Sequence, residues 1–396
     1  MDITIQPGLL HGSVAAIPSK SQAHRLLICS AFAEQPAFLK CPQLNQDILA
    51  TMRCLRALGA DIVQTAEGLR VRPISAVPES AELNCGESGS TLRFFLPVAG
   101  ALGVDAIFQM AGRLPQRPLS PLWEEMERMG CALSRPAENV IRCTGKLRPG
   151  AYTISGSVSS QFVTGLLYAL SLLKEESSLT VSGKVESLPY IQMTLSALET
   201  FGICIPEKDS CYTVTPQAFR SPGNLTVEGD WSNAAFWLAA RAMGSDITVT
   251  NLNFTSDQGD RMVTRLLKEL EQHCVVDAAQ IPDLVPVLAV VAGARQGAVF
   301  TNAARLRLKE TDRLVTTAAL VNGLGGSAQI VGDELVIGGT GYRSGTVDAA
   351  NDHRIAMAAA VAATVASGAV TIRDADAVKK SYPRFWEDYR SLGGKI

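Results

Sequence analysis

The chain has 396 residues, of which 47% are hydrophobic and 19% are charged, and its formal net charge is −2. This length predicts two domains, each with an extensive apolar core. The balanced charge excludes an extended basic face that could follow a nucleic acid backbone, so no nucleic acid partner is expected. Any cationic cluster must therefore be local.

Several features of the composition predict a cytoplasmic protein. Its nine cysteines are scattered without a Cys-x-x-Cys motif, as in proteins of reducing compartments. The first residues, "MDITIQPG", lack the charged and apolar segments of a signal peptide. The longest apolar runs are rich in alanine and favour buried helices over membrane spans. The four histidines have no metal-ligand spacing. Neither a membrane partner, nor a metal, nor a cofactor is expected.

One class of predicted helix combines a polar start with an apolar body rich in alanine and leucine. Because these helices are apolar nearly all round, we expect each to be buried inside a domain. Most successive starts are about 70 residues apart, with one shorter step of about 50. The first polar residues are, in chain order, Ser19, Ser88, Ser159, Asp230, Asp283 and Asp352.

A second class of helix is amphipathic, alternates with the first, and ends near a glycine that leads into a strand. Such glycines are expected in the left-handed conformation just after the helix. The fourth helix of this class lacks the glycine, and the others are followed by Gly59, Gly130, Gly202, Gly325 and Gly393. With the short β-branched segments between them, each unit is predicted to run strand, helix, strand, helix, strand, strand.

Six such units predict an α/β (α+β) fold with two similar domains of three units each. Buried helices that run in one direction would gather their polar starts at one end of each domain. If those two ends face each other, the cleft between the domains is lined by helix N-termini, hydroxyl groups and cations. A cleft of this kind would bind anions.

Hydroxyl groups and cations are concentrated at the starts of the first three buried helices. Such groups suit a phosphate or a carboxylate, because they add hydrogen-bond donors and charge to the positive end of the helix dipole. The alternative interpretation is a set of capping serines with solvated cations and ordinary loop glycines. The residues concerned are Lys20, Ser21, Arg25, Gly86, Gly89, Arg93, Arg113, Arg117, Ser159, Ser160 and Gln161.

Two further segments carry charges that require an explanation. In "RLRLKETDRL", Lys309 and Arg313 would share one face of a helix, with the carboxylates of Glu310 and Asp312 beside them. The cations could bind an anion while one acid transfers a proton, or the segment could be a solvated helical face. In "NDHR", Arg354 lies in the first turn of an alanine-rich helix, where a positive charge opposes the helix dipole. We therefore predict an anionic partner for Arg354.

Ten segments, spread in order over nearly the whole chain, resemble those of the EPSP synthase family of enolpyruvyl transferases. This resemblance implies a two-domain inside-out α/β barrel with six βαβαββ-type repeats, three per domain. It also implies that residues 1–18 and 227–396 form one domain, residues 19–226 form the other, and the active site lies in the cleft between them. A monomer is expected. The segments are "PSKSQAHR", "ESGSTLR", "QRPLSPL", "SSQFVTGLL", "SLPYIQMTL", "VEGDWSNAAFWLAA", "IPDLVPVLAV", "LKETDRL", "NDHRIAMA" and "KKSYPRFW".

The resemblance further implies transfer of the carboxyvinyl group of phosphoenolpyruvate to the 5-hydroxyl of shikimate 3-phosphate. The products would be 5-enolpyruvylshikimate 3-phosphate and phosphate, on the shikimate pathway to chorismate and the aromatic amino acids. The implied acid–base residues are Asp283 and Glu310, with Lys20 taking part in either transfer. The implied contacts of shikimate 3-phosphate are Lys20, Ser21, Arg25, Ser159, Ser160, Gln161, Ser187, Asp283 and Lys309. The implied contacts of phosphoenolpyruvate are Lys20, Gly89, Arg117, Gln161, Arg313, Arg354 and Lys380.

The chain departs from the family pattern at two places. The frequent family stretch Asn-Ala-Gly-Thr-Ala is "ESGST" here, which keeps Gly89 and changes its neighbours. Arg305 stands where many members have asparagine, so it is not assigned as a ligand. Two other functions are considered. A UDP-N-acetylglucosamine enolpyruvyl transferase typically carries a reactive cysteine in the loop around "GRLPQRP", which has none here. A non-catalytic protein that closes on phosphorylated metabolites would not need Glu310.

Overall fold

A computed structural model of the chain describes all 396 residues, which form a mixed α/β fold. The helices are α1 (Lys20–Phe32), α2 (Gln46–Ala57), α3 (Gly89–Leu102), α4 (Leu122–Arg128), α5 (Ser160–Ser171), α6 (Leu188–Thr200), α7 (Trp231–Ala242), α8 (Val263–Glu269), α9 (Val285–Ala294), α10 (Arg313–Gly323), α11 (His353–Ala363) and α12 (Phe385–Ser391). The first strands are β1 (Ile3–Ile5), β2 (His11–Ala15), β3 (Ala37–Lys40), β4 (Asp61–Gln64), β5 (Gly68–Arg72), β6 (Ser80–Gly86), β7 (Asp105–Met110), β8 (Cys131–Ala137), β9 (Val140–Gly145), β10 (Ala151–Ser155) and β11 (Ser177–Ser182). The remaining strands are β12 (Glu207–Lys208), β13 (Cys211–Val214), β14 (Asn224–Thr226), β15 (Asp246–Thr250), β16 (Cys274–Asp277), β17 (Ala298–Thr301), β18 (Ser327–Val331), β19 (Glu334–Gly338), β20 (Gly345–Asp348) and β21 (Val370–Arg373).

The chain divides into two compact units. Residues 18–227 form one of them, called here the inserted unit. Residues 1–17 and 228–396 form the other, called here the terminal unit because it holds both chain ends. Each unit has its own apolar core, with Phe94 and Phe162 in the inserted unit and Trp231 and Trp237 in the terminal unit. No helix of either unit has the length and apolar character that crossing a membrane requires.

The inserted unit contains three four-stranded sheets of identical pattern. Their strand orders are β14-β3-β5-β4, β6-β7-β9-β8 and β10-β11-β13-β12. In each sheet the first pair is parallel and the next two pairs are antiparallel. In the third sheet, Tyr152 lies opposite Leu179, which lies opposite Tyr212, and all three side chains are buried. The pleat therefore turns one face of the sheet to the core, where the helices pack.

The terminal unit has one sheet of this pattern and two smaller ones. Strands β16-β17-β19-β18 form a four-stranded sheet, β1-β21-β20 a three-stranded sheet, and β15-β2 a parallel pair. Strand β1, from the start of the chain, pairs with β21 near its end, with Ile3 opposite Ile372. This pairing explains why the first residues belong to the same unit as the last.

The two predicted helix classes are confirmed. Helices α1, α3, α5, α7, α9 and α11 are buried along almost their whole length. The amphipathic helices alternate with them, and the glycines predicted to follow five of these have φ between 74° and 111°. A side chain at such a position would be strained, which is why the helices end there. The glycines are Gly59, Gly130, Gly202, Gly325 and Gly393.

The predicted helix starts are confirmed at five of six positions. At these positions an N-cap side chain accepts a hydrogen bond from a backbone N–H group of the following turn. The N-cap residues are Ser19, Ser88, Ser159, Asp230 and Asp352. The exception is α9, whose N-cap is Leu284, with Asp283 one residue earlier. The Asp283 carboxylate is therefore not used as a cap and can engage other groups.

Candidate active site

The start of α1 holds a lysine against a carboxylate. Lys20 Nζ lies 2.9 Å from Asp47 Oδ2, and these side chains are 16% and 19% exposed. Asp47 belongs to the first turn of α2, where its negative charge is favourable for the helix dipole. The pair places the Lys20 ammonium group at the start of the buried helix α1. Asp47 was not predicted, because nothing in the local sequence links it to Lys20.

Arg25 lies one turn further into α1 and is buried. Its Nε donates to Thr194 Oγ1 at 2.9 Å, and a terminal nitrogen donates to the Tyr190 carbonyl at 2.7 Å. The other terminal nitrogen donates to the Ser21 carbonyl at 2.7 Å. The guanidinium carbon lies 5.4 Å from the centre of the Phe94 ring. Arg25 thus links the start of α1 to α6. Its predicted role as a contact of shikimate 3-phosphate remains a prediction.

The residue before α6, Ser187, has an uncommon backbone conformation. Its φ is 57° and its side chain is buried. A non-glycine residue in the left-handed region typically costs about 1–3 kcal/mol, and such residues cluster at binding and catalytic sites. The strain, together with the contact of Arg25 with α6, favours a functional role for this turn.

Gly89, the first residue of α3, lies beneath two guanidinium groups. A Cβ atom at this position would lie 2.6 Å from one terminal nitrogen of Arg117 and 2.8 Å from one of Arg93. Only glycine therefore lets both arginines approach the backbone this closely. Arg93 donates to Gln161 Oε1 at 2.9 Å and to the Pro118 carbonyl at 3.0 Å, so it joins α3, α5 and the loop that carries Arg117.

A close approach of helices α3 and α5 brings Gln161 to this place. A Cβ at Gly165 would lie only 2.2 Å from the Arg93 carbonyl oxygen, so a larger residue would push the helices apart. With the helices in contact, Gln161 Nε2 donates to Ser90 Oγ at 3.0 Å. The predicted residues Gly89, Arg117 and Gln161 therefore form one cluster. Ser159 and Ser160 belong to the same helix start as Gln161.

In the terminal unit, three cations converge on the carboxylate of Asp283. Lys309 Nζ lies 3.2 Å from Oδ1, a terminal nitrogen of Arg313 lies 2.7 Å from Oδ1, and one of Arg354 lies 3.0 Å from Oδ2. The Asp283 carboxylate is thus the anionic partner predicted for Arg354, which also donates to the Asp283 carbonyl at 3.0 Å. Three of the predicted cations thus surround one carboxylate.

Arg313 is only 1% exposed and contacts three carboxylates. The first is that of Asp283. A terminal nitrogen of Arg313 lies 2.5 Å from Glu310 Oε2, and Arg313 Nε lies 2.8 Å from Oδ2 of the fully buried Asp352. Burial acts against the charge of Arg313, but the carboxylates outweigh it and raise its pKa above the usual value. The interpretation of this segment as a solvated helical face is therefore wrong.

Lys309 and Arg313 do not share one helix, which corrects the conditional expectation drawn from their spacing. Residues Ala304–Leu308 form a 3₁₀ turn, and α10 begins only at Arg313, with Asp312 as its N-cap. The two cations still meet, because Asp283 lies between them. Burial lowers the pKa of Lys309 to about 8, although Asp283 opposes this shift.

Two more groups complete the polar region of the terminal unit. Lys380 donates to the Asn351 carbonyl at 2.7 Å, directly before Asp352 and the start of α11. Asp260 is buried, and burial together with the charge of Asp283 raises its pKa to about 6, while Arg354 opposes the shift. Asp260 and Asp352 were not predicted as site residues. No cluster of three or more histidine, cysteine, aspartate or glutamate side chains is arranged to hold a metal ion.

Comparisons with known proteins identify relatives over the full length of the chain. The sequence model of the family described as EPSP synthase (3-phosphoshikimate 1-carboxyvinyltransferase) matches residues 5–279 and 271–389. A 3-phosphoshikimate 1-carboxyvinyltransferase of Clostridium perfringens (strain SM101 / Type A) is 37% identical, with 99% of this chain and 98% of the relative covered. One of Clostridium kluyveri is also 37% identical, with 100% and 98% covered.

Solved structures share the fold at lower identity. An EPSP synthase from Acinetobacter baumannii superposes with a TM-score of 0.81 at 21% identity, covering 99% of this chain and 98% of that chain. The enolpyruvyl transferase NikO from Streptomyces tendae superposes with a TM-score of 0.75 at 15% identity, covering 99% and 97%. A full-length sequence match, a shared fold and cation clusters at the starts of buried helices agree with one another. The chain belongs to the EPSP synthase (3-phosphoshikimate 1-carboxyvinyltransferase) family.

Proposed function

We propose that this chain transfers the carboxyvinyl group of phosphoenolpyruvate to the 5-hydroxyl of shikimate 3-phosphate and releases phosphate. This reaction is a step of the shikimate pathway to the aromatic amino acids. Membership of the family over the whole chain supports the reaction. At the level of residues, the observation that carries it is the convergence of Lys309, Arg313 and Arg354 on Asp283, because two phosphorylated carboxylates need concentrated positive charge.

The predicted residues at the helix starts of the inserted unit and those around Asp283 in the terminal unit are proposed to bind the same two substrates. Shikimate 3-phosphate is assigned to the starts of α1, α5 and α6 together with Asp283 and Lys309. Phosphoenolpyruvate is assigned to the cluster of Gly89, Arg117 and Gln161 together with the cations of the terminal unit. The assignments to shikimate 3-phosphate are Lys20, Ser21, Arg25, Ser159, Ser160, Gln161, Ser187, Asp283 and Lys309. Those to phosphoenolpyruvate are Lys20, Gly89, Arg117, Gln161, Arg313, Arg354 and Lys380.

The reaction requires two proton transfers before phosphate can leave. The C2 atom of phosphoenolpyruvate becomes electrophilic only when its methylene carbon is protonated, while the attacking hydroxyl must lose its proton. Because the product regains a vinyl group, the new methyl group must lose a proton again as phosphate departs. Asp283 is proposed to act nearer the hydroxyl and Glu310 nearer the methylene, with Lys20 able to take part in either transfer.

The decisive assay is phosphate release from phosphoenolpyruvate in the presence and absence of shikimate 3-phosphate. We expect release only when both substrates are present, with one phosphate formed per enolpyruvylshikimate 3-phosphate. Release that ignores shikimate 3-phosphate, or binding of both compounds without turnover, would contradict the proposal. Sedimentation of the same preparation tests the oligomeric state, for which a monomer is expected. A cytoplasmic location is proposed separately and is supported by the nine cysteines, which are all free.

Replacement of Gly89 by alanine is expected to raise the KM for phosphoenolpyruvate about tenfold. The added methyl would lie 2.6 Å from Arg117 and 2.8 Å from Arg93, so both guanidinium groups must move. The melting temperature should change little, because the displaced atoms are the ends of flexible side chains. Steady-state kinetics with each substrate varied in turn measures the effect. The KM for shikimate 3-phosphate serves as the internal control, and an equal rise in both would argue against this assignment.

The pKa of Lys309 predicts a pH dependence. Because burial lowers it to about 8, the ammonium loses its proton as the pH rises through that value, and kcat/KM for shikimate 3-phosphate should fall. In Lys309→Arg the fall should move to higher pH, since a guanidinium stays protonated. Profiles of kcat/KM from pH 6 to about 10 test this. An identical alkaline limb in both proteins would assign the fall to another group.

A further inference from the structure

Four buried polar side chains form one hydrogen-bonded chain in the inserted unit. His24 Nδ1 lies 2.7 Å from Thr51 Oγ1, which lies 2.9 Å from Thr91 Oγ1, which donates to Ser88 Oγ at 2.8 Å. This row of hydrogen bonds runs from α1 through α2 to α3 and ends at the N-cap of α3, directly before Gly89. All four side chains are buried. We call this set the hydroxyl chain.

The direction of the hydrogen bonds follows from counting protons. Each hydroxyl group can donate only once. Thr91 donates its hydrogen to Ser88, so it must accept from Thr51. Thr51 then has no hydrogen left for the ring and must accept from Nδ1 of His24. The hydroxyl chain therefore requires His24 to carry its proton on Nδ1.

The environment of the imidazole favours the same tautomer. Nε2 of His24 is buried and has no hydrogen-bond partner, and the ring meets Phe94 edge-on at 6.3 Å. A buried N–H group without an acceptor is rarer and more costly than a buried lone pair without a donor. Burial lowers the pKa of His24 to about 3, with Lys20 and Arg25 acting in the same direction and Asp47 against them. The ring is thus neutral, with one N–H group.

The hydroxyl chain ends in the segment "ESGST", which contains Gly89. Ser88 directly precedes Gly89 and Thr91 follows it by two residues, and the hydroxyl groups of both belong to the hydroxyl chain. Ser88 also accepts the Thr91 backbone N–H at 3.3 Å, so the hydroxyl chain and the cap of α3 meet at one oxygen atom.

We propose that His24 is a positioning residue, whose Nδ1–H group orients the hydroxyl chain and thereby holds the start of α3, with Gly89, beneath Arg117. The hydroxyl groups of Thr51 and Thr91 transmit this orientation, and none of the four side chains is required to touch a substrate. The link to phosphoenolpyruvate rests on the proposed function, since it is that substrate which is assigned to Gly89. The tautomer does not depend on the proposed function.

Nitrogen NMR of protein labelled at histidine tests the first part directly. His24 should show Nδ1 as the protonated nitrogen and Nε2 as the unprotonated one, unchanged from about pH 6 to 9. In Thr91→Val, which keeps the side-chain shape, Thr51 loses its acceptor. Because Nε2 of His24 still has no acceptor, the proton should stay on Nδ1 in this variant. A proton on Nε2 in the unmodified protein would overturn the proposal without any variant.

Kinetics tests the second part. Thr91→Val should raise the KM for phosphoenolpyruvate about tenfold and leave the KM for shikimate 3-phosphate within about twofold. His24→Asn keeps a donor at the position of Nδ1 and should retain most of the affinity, whereas His24→Leu should not.

The matched control is Thr317→Val, because Thr317 is equally buried but its hydroxyl has no partner. Equal effects of Thr91→Val on both KM values, or the same loss of affinity in His24→Asn as in His24→Leu, would contradict positioning by the hydroxyl chain. An inactive unmodified protein would instead contradict the proposed function.

Discussion

Replacing Glu310 by glutamine is expected to lower kcat by at least about 100-fold while shikimate 3-phosphate still binds. Glutamine keeps an acceptor for Arg313, which lies 2.5 Å from the Glu310 carboxylate, so the local geometry should survive. The amide cannot deliver or remove a proton at the methylene carbon. The variant therefore separates proton transfer from binding. Stopped assays of phosphate release give kcat, and calorimetric titration gives the affinity for shikimate 3-phosphate.

A matched control is available in the same unit. Glu387 also pairs with an arginine three residues away: its Oε2 lies 2.9 Å from Arg384 Nε. The Glu387 side chain, however, is 65% exposed. Glu387→Gln should leave kcat unchanged, because an exposed ion pair contributes little and no substrate is assigned to it. If Glu310→Gln retained more than about a tenth of kcat, Glu310 would not be the acid, and Lys20 would be the next candidate. Loss of binding together with turnover would point to a positioning role.

Replacing Asp352 by asparagine is expected to lower the free energy of unfolding of the terminal unit by about 3–5 kcal/mol. Both carboxylate oxygens of this fully buried residue accept hydrogen bonds. Oδ1 accepts from the backbone N–H of Arg354 at 2.9 Å, and Oδ2 accepts from Thr311 at 3.0 Å and from Arg313 Nε at 2.8 Å. An asparagine amide would turn its NH₂ group toward one of these donors, and Arg313 would lose part of its compensating charge.

Urea unfolding followed by fluorescence and circular dichroism measures this loss. Asp333→Asn is the control, because the exposed pair of Arg307 and Asp333, at 3.5 Å, should contribute less than about 1 kcal/mol. Burial acts against the charge of Asp352, but Arg313 outweighs it and holds the pKa of Asp352 below its usual value. Its contribution should therefore be constant above the ordinary aspartate range near pH 4 and disappear only as the pH falls through the lowered pKa. A loss below about 1 kcal/mol at neutral pH would contradict this view of the cluster.

Much of the fold could be predicted from short-range patterns. A capping side chain and the N–H group that donates to it lie within three residues of each other, as for Ser88 and Thr91. The residue type therefore predicts the helix start. A glycine after an amphipathic helix predicts the left-handed turn for the same local reason, as at Gly59 and Gly202. Apolar residues all round a helix predict burial whatever its neighbours are.

The site could be predicted only as residue types at helix starts. Arg354 clearly required an anion, but Asp283, which supplies it, lies 71 residues away, and nothing local connects the two. The polar pattern predicts Asp283 as a helix start, whereas Leu284 is the actual cap. The spacing of Lys309 and Arg313 suggested one helical face, although the backbone between them is not helical. Their meeting at one carboxylate depends on packing alone.

The sequence by itself determined the order of helices and strands, the ends of the helices and the buried or amphipathic character of each helix. These properties depend on hydrogen bonds and side-chain contacts within about one or two turns. Only the tertiary structure decided which charges and hydroxyl groups meet. Arg25 bonds to Thr194 across 169 residues, and His24 joins Thr51 across 27. Such partners are chosen because most buried polar groups must find a hydrogen-bond partner where the packed helices leave room, and a linear pattern carries no record of that room.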